Sequence, residues 1–155
     1  MNLASQIIEK ASDMSVMIAT AESCTGGMVA AALTDIAGAS RVLERGFVTY
    51  TNAAKTEMLG VAPATLDAHG AVSEEVAAEM AQGAVRHAHV QLAVSITGIA
   101  GPGGSEFKPE GRVCFGIAQG DSVRTETVEF GALGRIEVRT AARDHALGLL
   151  LDALR

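Results

Sequence analysis

The chain has 155 residues and a formal net charge of −6, a length that suits one domain spanning 1–155 and burying about two-thirds of its unfolded surface. An apolar share of 48% excludes a disordered chain, and 12 scattered Lys and Arg residues, with no basic run, argue against nucleic acid as a partner. Two cysteines make no disulfide framework, residues 1–11 carry Glu9 and Lys10 where a signal peptide needs an unbroken apolar core, and no apolar run approaches the roughly 20 residues that span a bilayer. A cytoplasmic protein without a membrane segment is expected.

Leu3, Ile7, Ile8 and Ala11 recur at helical spacing and predict an opening amphipathic helix. Residues 15–20 (SVMIAT) form an apolar run of strand length, followed by a loop at 21–27 and an Ala-rich helix over 28–36 that Gly38 stops. Residues 42–51 read as a second strand, with Asn52 as N-cap of a helix from Ala53 to Leu59. Pro63 opens a short helix or turn. Ser73 caps a longer helix with Glu74 and Glu75 in its first turn and a buried stripe of Val76, Met80, Ala84 and Ala88. Residues 92–97 (LAVSIT) are a third apolar strand that runs into a glycine loop. A hairpin over 112–118 and 123–130 turns at Gly120-Asp121, and a last helix over 135–154 buries Ile136, Ala142, Ala146, Leu149 and Leu150. Strands alternating with helices, then a terminal hairpin and helix, predict an α/β fold: a single-domain three-layer α/β/α sandwich with a mixed, mostly parallel sheet. Ligands of such sheets bind beyond the carboxyl ends of the strands, where the two glycine loops should meet.

The first loop offers Ser23 between a strand end and a helix start, where unpaired amides can receive an anion or a developing oxyanion. Thr25, Gly26 and Gly27 would let a substrate approach the backbone; an ordinary βα turn capped by Thr25 has the same sequence. A serine needs a base. His69, His87, His89 and His145 adjoin neither glycine loop and show no metal-ligand spacing. Lys55 falls in the first turn of its helix, where a positive dipole and burial would lower its pKa, although a solvated lysine reads identically. The second loop brings Thr97, Gly98 and Gly101, as a close backbone approach or a mobile lid. Arg135 and Arg139, one turn apart, suit a phosphate or carboxylate clamp or a solvated helix face. Cys24 is a rival nucleophile, and Cys114 reads as core.

Taken together, TAESCTGG at 20–27, VTYTN at 48–52 with Lys55, GAVS at 70–73, SITGIAGPGG at 95–104, Lys108-Pro109 with Gly111, and the segment from Phe130 through Arg135 to Arg139 resemble the CinA C-terminal domain family, the nicotinamide-nucleotide amidases. The resemblance implies hydrolysis of the carboxamide of nicotinamide mononucleotide to nicotinate mononucleotide and ammonia. It implies Ser23 as nucleophile, Lys55 as base with Tyr50 beside them, a small nucleotide as partner, and no metal or other cofactor. It also implies the stand-alone form, without the N-terminal domain of full-length CinA proteins, and a homodimer or larger homo-oligomer is expected. A non-catalytic nucleotide-binding regulatory module and an amidase of another small amide are the competing readings. Two departures stand out: no acidic residue directly precedes Arg135, and Glu110 and Arg112 occupy positions where the family has smaller or apolar residues.

Overall fold

α1 (Leu3–Met14) forms because Ala4, Ile7, Ile8 and Ala11 lie on one face and bury it, with the Asn2 side chain accepting from the Ser5 amide at the N-cap. The computed structural model describes residues 2–155. Ser15 ends α1 in the left-handed conformation (φ 56°), so the first strand, β1 (Ile18–Glu22), begins three residues later than the apolar run at 15–20 predicts. Glu22 is thereby the last strand residue and Ser23 the first beyond it.

β1, β2 (Leu43–Val48), β3 (Leu92–Gly98), β4 (Arg112–Gln119) and β5 (Ser122–Glu129) make one sheet in the order β2-β1-β3-β4-β5. β1 is parallel to both β2 and β3, whereas β4 is antiparallel to β3 and to β5. Four of the five strands therefore point the same way, and the hairpin turns at Gly120-Asp121 between the paired residues Gln119 and Ser122. Strand alternation sorts the core into two layers. Ile18, Leu92, Val94, Ile96 and Phe115 pack against α1, α2 (Met28–Thr34) and α6 (Arg135–Ala153). Ala19, Ala21 and Ala93 face α3 (Asn52–Leu59) and α5 (Glu74–Ala88), completing the predicted three-layer sandwich. Small residues bring α5 close: Ser95 Oγ donates to the Ala77 carbonyl at 2.6 Å, and a Cβ on neighbouring Gly116 would lie 2.6 Å from that same oxygen.

Three local expectations change. α2 ends at Thr34, not residue 36, and Gly38 (φ 90°) leads into a 3-10 turn, Ala39–Arg41. Thr51, not Asn52, caps α3, its Oγ1 accepting from the Ala54 amide at 3.0 Å. Ile136 is 72% exposed, because the buried stripe of α6 runs through Val138, Ala142, Ala146, Leu147, Leu150 and Leu151, and Ile136 sits two residues off it. Pro63–His69 is the short helix α4.

Candidate active site

Ser23 sits where β1 ends between its two parallel neighbours. Its amide donates to the Ile96 carbonyl at 2.9 Å, and the preceding carbonyl, of Glu22, accepts from the Thr49 amide at 2.9 Å. The side chain of Glu22 points to the α2 layer and that of Ser23 to the α3/α5 layer, as adjacent strand residues must. Glu22 is 1% exposed. Its Oε1 accepts from Thr25 Oγ1 (2.6 Å) and from the amides of Gly27 (3.2 Å) and Val29 (2.9 Å), and its Oε2 accepts from the Ala30 amide (3.0 Å). The Met28 amide donates to the Thr25 carbonyl. The four amides that open α2 are thus all engaged within the chain, which corrects the expectation that they await an anion. Arg139 secures the same loop from α6, its guanidinium donating to the carbonyls of Cys24 (2.9 Å) and Thr25 (3.4 Å).

Lys55 approaches from the first turn of α3. Its Nζ lies 3.2 Å from Ser23 Oγ and donates also to the Tyr50 carbonyl at 3.4 Å, and the residue is 2% exposed. Burial lowers its pKa below the ordinary lysine value, partly opposed by the Glu106 carboxylate. Cys24 is pushed up to about 12, chiefly by burial, so its thiol is protonated at neutral pH.

Above this pair opens a cleft of about 330 Å³, a size suited to a small-molecule ligand. Ser23, Lys55, Tyr50, Thr97, Gly98, Gly101 and Arg135 line it, so the two glycine loops do meet. Thr97 Oγ1 donates to the Ala71 carbonyl at 2.8 Å, and the absent Cβ of Gly98 leaves room for Val113. Arg135 donates to the Gly101 carbonyl and to the Tyr50 hydroxyl, both at 2.6 Å, and no carboxylate among the described residues neutralises it. Two side chains from its C-terminal part pin the second loop. Lys108 Nζ donates to the carbonyls of His69 (2.8 Å) and Val72 (2.6 Å), while Glu110 accepts from the amides of Gly103 (2.7 Å) and Gly134 (3.4 Å).

Thr25, Gly26 and Gly27 form the far side of the Ser23 loop, Arg139 packs behind it, and none of the four is on the cleft wall. Asn52 and Glu106 are on it, unanticipated. Asn52 had a competing use as a cap, which Thr51 performs; Glu106 carries no sequence pattern that marks it. None of the four histidines lines the cleft: His145 stacks near Phe115 and contacts Glu126, and His87 donates to the Gly83 carbonyl. Among the described residues, no group of three or more His, Cys, Asp or Glu is placed to hold a metal ion, and no helix is long and apolar enough to cross a membrane.

The family profile described as the CinA C-terminal domain matches residues 1–154. The chain is 49% identical over 153 residues to the nicotinamide-nucleotide amidohydrolase PncC of Escherichia coli (strain K12), an alignment covering 97% of this chain and 92% of that protein. It is 52% identical over 145 residues to a CinA-like protein of Chlorobium phaeobacteroides (strain BS1), covering 90% of this chain but 34% of that longer relative. Among solved structures, the competence/damage inducible protein CihA from Agrobacterium tumefaciens superposes with a TM-score of 0.93 at 48% identity, covering 98% of this chain and 93% of that one. A CinA superfamily protein from Escherichia coli gives 0.95 at 37% identity, covering 98% and 88%.

Proposed function

This chain belongs to the CinA C-terminal domain family, and from that premise we propose that it is a nicotinamide-nucleotide amidohydrolase in which Ser23 attacks and Lys55 moves the proton. The observation that carries this reading is the 3.2 Å contact between Lys55 Nζ and Ser23 Oγ, buried at the foot of the cleft. Neutral Lys55 accepts the hydroxyl proton as Ser23 Oγ bonds to the carboxamide carbon. The ammonium so formed stands beside the negative charge developing on the carbonyl oxygen. It then returns the proton to the departing nitrogen, and ammonia leaves an ester on Ser23. Water, deprotonated by the same amine, cleaves that ester and restores the serine, leaving the nicotinate product.

Tyr50 contributes on two sides: its carbonyl orients Lys55, and its hydroxyl accepts from Arg135. In this reading Arg135, the un-neutralised cation on the cleft wall, meets the nucleotide phosphate, while Thr97, Gly98 and Gly101 shape the wall against the ring. Thr25, Gly26, Gly27 and Arg139 support the loop and do not touch the substrate. Exposed apolar surface at Tyr50, Leu133 and Ile136, on segments bordering the cleft, favours the expected homodimer or larger homo-oligomer, which sedimentation of the purified protein would test.

The deciding experiment is ammonia release from nicotinamide mononucleotide, nicotinamide riboside and nicotinamide. Turnover of the mononucleotide well above the other two supports the proposal. Turnover of another amide alone would shift the substrate, and binding without release would favour a regulatory module.

A further inference from the structure

We infer that Glu22 is a positioning residue, an internal anion that closes the α2 N-terminus and thereby fixes the loop presenting Ser23. Its importance for turnover rests on the proposed Ser23 chemistry; its hold on the loop does not. A helix start leaves its first amides without partners in the helix, and in some glycine-rich loops a ligand anion satisfies them. Here a buried carboxylate takes the amides of Gly27, Val29 and Ala30 together with the Thr25 hydroxyl, engaging both oxygens. Charge-assisted bonds of this kind are short and directional. Because Glu22 and Ser23 are consecutive, fixing the first sets the position of the second, and strand alternation turns the hydroxyl to the opposite layer, toward Lys55.

Glu22 does not line the cleft and is 1% exposed, so it neither touches substrate nor exchanges protons with it. It also removes the α2 N-terminus as a phosphate site, leaving the cation at Arg135 to face that group. Cys24, in the same loop and also buried, reports on the loop without reference to any substrate.

The test uses Glu22→Gln and Glu22→Asp in a Cys114→Ala background, so that Cys24 is the one thiol left. Glutamine keeps the volume but turns an NH₂ toward amide donors; aspartate keeps the charge but retracts it. For Glu22→Gln we expect kcat for ammonia release to fall about 100-fold, the scale of an ångström of misplacement, with KM changed by less than about threefold. Cys24 should react with iodoacetamide about tenfold faster as the loop opens, and Glu22→Asp should fall between glutamine and the parent in both assays. A folded Glu22→Gln protein with kcat within about twofold of the parent, or with unchanged Cys24 labelling, overturns the inference. If Glu22→Gln does not fold, Glu22→Asp decides the question by the same two readouts. Should the parent release no ammonia, the functional proposal falls, and the labelling rates still decide whether Glu22 holds the loop.

Discussion

Replacing Lys55 with arginine separates proton transfer from charge at the foot of the cleft. An unperturbed lysine, with a pKa near 10.4, leaves about one amine in 2,500 neutral at pH 7, and each unit of depression raises that fraction tenfold. Lys55 is lowered, chiefly by burial. Hence kcat/KM should climb with pH at unit slope and level off below about 10.4. Arginine keeps a cation near Ser23 but cannot deprotonate in this range; the expected loss is about 10²–10⁴-fold, with the pH-dependent limb abolished. The same shift has a stability consequence. With the folded-state pKa depressed, the unfolded chain binds more protons between that value and about 10.4, so stability is lost as pH falls through this window. Lys55→Met, which has no such group, should melt higher than the parent at neutral pH, by about 2–4 °C per kcal/mol relieved. The advantage should disappear as pH approaches about 10. Initial rates of ammonia release and melting curves, both across pH, provide the readouts. A Lys55→Arg protein with the parent's pH profile would refute the base assignment, and a Lys55→Met protein melting lower at neutral pH would refute the burial cost.

Ser23→Ala should lower kcat by several orders of magnitude, whereas Cys24→Ala should keep most activity because that thiol, pushed up to about 12, stays protonated; the reverse pattern in steady-state kinetics would move the chemistry to the cysteine. Arg135→Ala should raise KM for the mononucleotide by roughly 10–100-fold with a smaller effect on the riboside, the scale of a lost charge-assisted contact; equal effects on both substrates would mean that Arg135 does not read the phosphate. Gly83→Ala would put a Cβ 2.0 Å from the Leu59 carbonyl, at the end of the helix that carries Lys55. A loss of about 1–3 kcal/mol in denaturant unfolding and a lower kcat should follow, and an unchanged midpoint would show that α3 and α5 are looser than their contact implies.

Strands β1 and β3 were legible because a strand covered on both faces is mostly apolar, although the apolar run starts three residues before β1 does, and Ser23 stood out as a hydroxyl between a strand and a helix. What spacing could not reveal was which polar group meets which. Lys55 lies 32 residues from Ser23, and only the sheet order, with β2 beside β1, lets α3 return across the Ser23 loop. Arg135 and Arg139 read as one clamp because they share a helix face, yet the helix start passes two different walls. Arg135 reaches the cleft rim and Tyr50; a turn later, Arg139 meets the carbonyls of Cys24 and Thr25 beside Ser23. Glu22 was the least visible. An acidic residue in a buried strand needs compensation, and its donors lie five, seven and eight residues ahead in the same loop and helix. A carboxylate within reach of a glycine-rich helix start can therefore consume the amides that would otherwise bind a phosphate. In this chain the loop that resembles an anion site is already satisfied by Glu22, and on the inference drawn above those same bonds hold Ser23 in place.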